Sequence, residues 1–344
     1  MKKKILHVLS SNDLAGAENV AMGIISLSSE EYECAYASPK GDIKTILEQR
    51  EIQYLAMDKL SIAQTKKIIK SFQPTIIHAH DFTATIICLC STWRIPVVSH
   101  IHQNPLWLRK VNKLSILYFL ACIKLAAILA VSPAIKNTTF LSRLFSKKTV
   151  VLQNIISIDS IKKLAKEHTS NAYDLIFIGR YEEIKNPLRF IEIVSKVRRD
   201  FPNLKVAMLG GGSLEEDCKS LINEKKLQQV IDFKKFVDNP YPVLEHSKVF
   251  IMTSKSEGSP MVLLEALALG KPVIAPKIPG LETIINNQAG FLCNEDEEFV
   301  ENISSLLNSE NLYLTMSEAA SKRANELCDM ESYKELLHKV YCSA

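Results

Sequence analysis

The chain has 344 residues, 42 Lys and Arg against 38 Asp and Glu, a net charge of +4 and 47% apolar residues. That composition excludes general disorder, and at roughly 100–200 residues per domain the length predicts two domains, each able to bury its own core. The charge is uneven: residues 1–155 carry 19 basic and 10 acidic side chains, net +9, and residues 156–344 carry 23 and 28, net −5. A basic front half suits an anionic partner such as phosphate or a membrane surface, with a plain solvated surface as the competing reading. No nucleic-acid motif accompanies the charge. The eight cysteines are scattered, with no CxxC pair and no zinc-ligand spacing, so reduced thiols in a cytoplasmic protein are expected.

In chain order, the basic start Met1-Lys2-Lys3-Lys4 leads only into a short apolar run, Ile5–Leu9, read as a buried strand rather than a signal peptide. Further strands are expected at Cys34–Ala37, Ile76–Ala79, Val97–Ile101, Ile128–Val131 and Val150–Leu152, with helical patterns such as Ala17–Leu27 and Ser61–Ser71 between them. The long apolar stretch Leu114–Val131 is interrupted by Lys124 and preceded by Arg109, Lys110 and Lys113. It reads as a helix at 112–124 and a buried strand, with a membrane-touching helix as the second reading. The polar region 155–173 is the expected hinge. A second series then places strands at Leu175–Ile178, Lys205–Leu209, Ile231–Phe233, Val249–Met252, Val273–Ala275 and, weakly, Phe291–Leu292. Helices are expected at 187–200, 215–226, 261–269, 298–307 and 312–326. Alternating β and α units predict two doubly wound parallel sheets, with ligands beyond the carboxyl ends of the strands and a cleft between the domains as the default site.

The sharpest segment is Ser254–Ala275, SKSEGSPMVLLEALALGKPVIA. Ser259 is the expected N-cap, Pro260 the first helical residue, Met261–Leu269 the helix and Gly270 its C′ residue. The helix start suits a phosphate. Glu257 and Glu265 would oppose that charge, so binding hydroxyls of a sugar or ribose is their more natural task.

The Glu257-x7-Glu265 spacing and its dressing resemble the donor-site motif of the family 4 retaining glycosyltransferases, also called glycosyl transferases group 1, which have the GT-B fold. Gly179-Arg180 with Lys185-Asn186 resembles that family's GR-x4-KN signature, and Leu209-Gly210-Gly211-Gly212 its glycine turn. Gly280-Leu281-Glu282 and Gly290-Phe291-Leu292 match its tail. Ala15-Gly16-Ala17-Glu18 resembles its GGxE loop, with Ala15 in place of the first glycine. PVVSHIH aligns His102 with its reaction-centre histidine; His100 fits less well, and His78 and His80 read first as strand-end structure. Ala130-Val131-Ser132 and Asn154 follow the pattern, whereas Ile155 and the Phe233-Lys234-Lys235-Phe236 run stand where the family has glycines.

The resemblance implies two Rossmann-like domains, an acceptor-binding one at 1–155 completed by a helix at 329–344, and a donor-binding one at 156–328. It implies transfer of a sugar from a nucleoside-diphosphate sugar, of UDP or GDP type, to a glycan or lipid-linked acceptor, in bacterial surface polysaccharide assembly, without metal or other cofactor. Catalytic roles fall to His102, Glu257, Arg180 and Lys185. Donor contacts fall to Gly16, Arg180, Lys185, Gly210, Gly211, Glu257, Gly258, Ser259, Pro260, Met261, Val262 and Glu265. An apolar surface from Leu106, Trp107, Leu108, Leu114, Leu117 and Tyr118 would serve a membrane-attached acceptor on the inner face of the cell membrane. The alternatives are a non-catalytic partner subunit, a sugar-nucleotide epimerase and a dinucleotide oxidoreductase, the last lacking GxGxxG after the first strand.

Overall fold

Short apolar runs that are buried on both faces make parallel strands, and this chain has thirteen of them among its described residues. The computed structural model describes residues 2–12, 16–102, 108, 110–138 and 144–344. The chain divides into two units, Met1–Asn154 with Met330–Ala344, and Ile155–Asp329.

The first unit runs β1 (Lys3–Val8), α1 (Gly16–Ser28), β2 (Tyr32–Pro39), α2 (Ile43–Gln49), β3 (Tyr54–Met57), α3 (Ile62–Phe72) and β4 (Ile76–Ala79). It continues with α4 (Phe82–Ser91), β5 (Val97–Ile101), α5 (Lys113–Lys124), β6 (Ala127–Ala130), α6 (Pro133–Thr138) and β7 (Thr149–Val151). The strands pair in parallel in the order β3-β2-β1-β4-β5-β6-β7. Side chains fix the helix starts: Ser61 accepts from the Gln64 amide, Asp81 from the Ala84 amide, and Asn112 forms a capping box with Ser115.

The second unit runs α7 (Ile158–Leu164), β8 (Tyr173–Ile178), α8 (Pro187–Val197), β9 (Val206–Leu209), α9 (Glu215–Glu224), β10 (Ile231–Lys234) and α10 (Tyr241–Glu245). Then come β11 (Ser247–Ile251), α11 (Met261–Ala268), β12 (Val273–Pro276), β13 (Gly290–Cys293), α12 (Asp296–Asn308) and α13 (Glu310–Leu327). The parallel order is β10-β9-β8-β11-β12-β13. One core packs Leu263, Leu264 and Leu267 with Phe250 and Ala320 on one face; the other packs Phe190, Val194, Phe299 and Ile303. α14 (Met330–Ser343) returns to the first unit, where Tyr341 is fully buried and meets Tyr32 edge-on at 5.4 Å.

In both sheets the order reverses beside the first strand, between β1 and β4 and between β8 and β11. Chains leaving adjacent strands there turn to opposite faces, so a crevice opens at the strands' carboxyl ends.

Three expectations need correction. The hinge region 155–173 contains α7, whose Ile161 is buried in the second unit's core. Pro260, not Ser259, holds the N-cap of α11, at φ −70 and ψ 120, without a side-chain cap bond. Proline's fixed φ is compatible with the extended cap conformation, so the helix starts one residue later. Leu108 and Tyr118 are 2% exposed, and the Tyr118 hydroxyl bonds Ser99 Oγ at 2.9 Å, so neither belongs to an apolar surface. That surface is instead Leu114, Ile116, Leu117, Leu120 and Ile123, on the outer side of α5. Ala15, Leu106, Trp107 and Arg109 lie outside the described residues. Among the described residues no helix is long and apolar enough to cross a membrane.

Candidate active site

The turns after β8 and β9 close on each other. The Gly179 amide donates to the Leu209 carbonyl at 3.0 Å and the Tyr181 amide to the Gly211 carbonyl at 2.8 Å. The Tyr181 hydroxyl stands 3.0 Å from the carbonyl oxygens of both Met208 and Lys234. A Cβ on Gly210 would fall against the Gly179 carbonyl oxygen, whereas Gly211 faces open space. Gly210 is therefore a packing requirement and Gly211 leaves room. Gly210→Ala is expected to lower the unfolding free energy by about 1–3 kcal/mol, the cost of overpacking, and Gly211→Ala much less. Denaturant midpoints check this, and equal midpoints for the two variants would refute it.

After Arg180, which is exposed, the chain turns through Asn186 at φ 52, a left-handed conformation that Asn tolerates better than most residues. Pro187 follows as the first residue of α8. Thr253 Oγ1, at the end of β11, donates to the Lys185 and Asn186 carbonyls at 3.1 and 2.9 Å, and the Lys255 amide donates to the Ile184 carbonyl at 2.8 Å. Lys255 also pairs with Glu183. The loop after β11 is thereby tied to the loop after β8, and Lys185 Nζ meets Glu257 Oε1 at 2.5 Å with side chains only 21% and 10% exposed.

Gly280, at φ +102, backs the same loop. A Cβ there would stand 2.8 Å from the Glu257 carbonyl oxygen and 2.9 Å from that of Gly258. Gly258, Ser259 and Pro260 are buried and lead into α11, whose first residues Met261 and Val262 are half-buried. In the first turn of α11 the Leu263 amide donates to the Pro260 carbonyl at 3.2 Å, and the amides of Met261 and Val262 precede the helix's own ladder. One turn on, Glu265 Oε1 accepts from the Tyr241 hydroxyl at 3.2 Å. Burial pushes the Glu265 carboxyl up to about 7. α11 ends in a Schellman motif: the Gly270 amide donates to Leu267 at 3.0 Å and the Lys271 amide to Ala266 at 2.9 Å, with Gly270 at φ +67.

The second unit thus brings Arg180, Lys185, Gly210, Gly211, Glu257–Val262 and Glu265 to the carboxyl ends of β8, β9 and β11. Two cations, two carboxylates and a helix start meet there, a set able to hold a diphosphate and several hydroxyls at once. The sequence reading missed Thr253 and Tyr241 and gave Gly280 no particular role. Tyr241 follows Asn239-Pro240, a turn signal that marks the start of α10.

In the first unit Gly16 opens α1, and a Cβ there would meet nothing within 4 Å among the described residues. His102 follows β5 within a cluster of five imidazoles. His7, which the sequence did not flag, pairs in register with His78 across β1 and β4. The hydrogen-bonded nitrogen pairs are His7 Nδ1 with His80 Nε2 at 2.9 Å, His80 Nδ1 with His102 Nε2 at 3.1 Å, and His78 Nε2 with His100 Nδ1 at 3.2 Å. Burial holds all five rings well below the usual histidine range, His7 and His102 at about 3. They are neutral at pH 7.

The sequence model of the Glycosyl transferases group 1 family matches residues 159–323, and that of Glycosyltransferase Family 4 matches residues 37–160. An uncharacterised glycosyltransferase of Methanocaldococcus jannaschii is 30% identical over 232 residues, 61% of this chain and 57% of that protein, so the chain spans little more than half of that relative. The capsular polysaccharide biosynthesis glycosyltransferase CapH of Staphylococcus aureus is 26% identical over 283 residues, 76% of this chain and 78% of CapH. The crystal structure of Anabaena HepE in complex with UDP and glucose superposes with a TM-score of 0.87 at 18% identity, covering 99% of this chain and all of that one.

Proposed function

The chain belongs to glycosyltransferase family 4 and has the GT-B fold, and from that premise we propose that it moves a sugar from a nucleoside-diphosphate sugar to an acceptor hydroxyl with retained anomeric configuration. The observation that carries this reading is the meeting of Arg180, Lys185, Glu257 and the α11 start at the switch point of the second sheet. Arg180 and Lys185 neutralise the departing diphosphate, with help from the first amides of α11. Glu257 accepts hydrogen bonds from sugar hydroxyls and Glu265 from the ribose. Gly211 leaves room for the nucleotide, and the family pattern gives roles to Gly16 and His102. The bond from the anomeric carbon to the phosphate oxygen breaks, and a bond from that carbon to the acceptor oxygen forms on the same face. The acceptor proton goes to the leaving phosphate, so neither a protein base nor a metal ion is needed.

The acceptor in this reading is a glycan or lipid-linked glycan of bacterial surface polysaccharide assembly, bound by the first unit at the inner face of the membrane. The net charge of +9 over residues 1–155 supports it, as does the likeness to CapH. The outer face of α5 supports it further, because its apolar residues lie between the exposed Lys113 and Lys124.

Calorimetric titration of the purified protein with UDP and GDP, without magnesium, tests the donor site. UDP comes first because HepE was solved with it. One of the two is expected to bind, and Arg180→Ala to weaken it at least tenfold. Ribose hydroxyls donate to the ionised Glu265, whose carboxyl is raised to about 7 in the free protein. Affinity should therefore rise with pH through 7, about tenfold between pH 6 and pH 8, and Glu265→Gln should flatten that profile. Failure of both nucleotides to bind would turn the reading to a non-catalytic partner subunit.

A further inference from the structure

Five imidazoles meet where the order of the first sheet reverses, and the transfer reading uses only His102. His80, His100 and His102 each offer one ring nitrogen within 4.8 Å of the others'. Their remaining hydrogen bonds have a pattern. His80 is held through Nε2 by His7 Nδ1 at 2.9 Å. His100 is held through Nδ1 by His78 Nε2 at 3.2 Å, and His78 Nδ1 in turn meets the Tyr341 hydroxyl at 2.7 Å. His100 Nε2 is buried with no hydrogen-bond partner among the described residues. Buried polar atoms seldom go without one.

Two imidazole nitrogens on one ion, at about 2.0–2.1 Å with tetrahedral angles, stand roughly 3.3 Å apart. His80 Nδ1 and His102 Nε2 are already 3.1 Å apart. The inner triad His7, His78 and His80 also has its ligand atoms close together, but all three rings are fully buried. His102 is only partly buried, so the outer triad has a way in for an ion.

We infer that His80 Nδ1, His100 Nε2 and His102 Nε2 form a binding site for one divalent transition-metal ion of the zinc class, with His7, His78 and Tyr341 as the groups that orient the ligands. An all-imidazole set selects zinc, cobalt, nickel or copper over magnesium and calcium. Outer hydrogen bonds of this kind fix the tautomer and aim of each ligand ring. The ion takes no part in sugar transfer. It occupies the His102 lone pair and so inhibits transfer; that consequence alone rests on the function proposed above.

Cobalt(II) added to the full chain without nucleotide is the probe, so its outcome does not depend on the donor reading. One equivalent is expected to give the strong visible absorption of a tetrahedral cobalt site, displaced by zinc. His100→Gln should weaken binding about 100-fold, and His7→Gln, which bonds His80 through the nitrogen that does not face the ion, about tenfold. Circular dichroism verifies folding, and His102→Gln, on the least buried ring of the cluster, replaces His100→Gln if the latter does not fold. Absence of the absorption with cobalt in excess overturns the site. So does binding that His100→Gln and His102→Gln leave unchanged. The ion would then sit elsewhere, as at His338, whose Nε2 is 3.3 Å from Cys342 Sγ beside Glu31.

Discussion

Lys185→Ala is expected to lower kcat/KM by about 10²–10³, or roughly 3–4 kcal/mol of transition-state stabilisation, the range for losing one preorganised group opposite developing charge. Lys185 spends the nucleotide-free state against Glu257 at 2.5 Å. In the proposed donor complex a diphosphate would compete with that carboxylate for the ammonium, and a sugar hydroxyl would take the place the lysine leaves. The two partners should therefore fail differently. Lys185→Ala loses affinity for the nucleoside diphosphate, and it also costs stability, because the 10% exposed Glu257 side chain is left unpaired. That cost lies between the ~1 kcal/mol of an exposed pair and the ~3–5 kcal/mol of a buried one. Glu257→Ala frees Lys185, so diphosphate affinity holds or rises while turnover of the sugar nucleotide collapses. Titration calorimetry with the diphosphate and steady-state kinetics with the sugar donor separate the two. Equal loss of diphosphate affinity in both variants would show that the pair only braces the loop.

Leu117→Glu with Leu120→Glu is expected to abolish binding to anionic vesicles and leave the melting temperature nearly unchanged. Both side chains are exposed, at 43% and 55%, so the core does not depend on them. α5 already satisfies the core with Ser115, Tyr118, Ala121 and Cys122 on its inner side. Its outer stripe, Leu114, Ile116, Leu117, Leu120 and Ile123, is apolar yet exposed, and Lys113 and Lys124 at the two ends of the helix offer positive charge beside it. Each leucine buried in the interfacial region contributes about 1.5–3 kcal/mol, so losing two lowers the partition constant at least 100-fold. Cosedimentation with vesicles of anionic and neutral lipid reads this out. Binding that survives the double substitution, or that ignores lipid charge, would rule out this face as the membrane contact.

Most of the architecture was legible because parallel strands buried on both faces read as apolar runs, and eleven of the thirteen strands overlap such runs of three or more residues read from the sequence. β3 was not, since Tyr54–Met57 is half-exposed at the sheet edge and too short for a pattern; β13, at the other sheet's edge, showed only as Phe291–Leu292. The residues proposed for the donor side could be picked out together because they sit in one continuous segment and two nearby turns. What escaped was set by tertiary pairing. Tyr241 gains its role only when α10 comes beside α11, and Gly280 only when its backbone meets the Glu257–Gly258 peptides. His7 enters the cluster through strand register, and alternation along β1 alone gives no sign of it. The apolar face of α5 was placed only in part, with Leu114 and Leu117 on it as expected, because the helix is apolar on both sides and only packing decides that Tyr118 turns inward.

The return of α14 makes the first unit discontinuous. Tyr32 bonds His338 across 306 positions of sequence, and His78 bonds Tyr341 across 263. Neither bond can form before residues 330–343 have been synthesised, whereas every strand of the second unit is already present by then. The second unit is in effect an insertion within the first, and its folded state holds the two segments of its host close to one another. Without it, bringing those segments together would carry the loop-closure entropy of the whole intervening chain. The first unit is therefore completed only after the whole second unit has been synthesised, and the Tyr341 hydroxyl that steadies His78 arrives last.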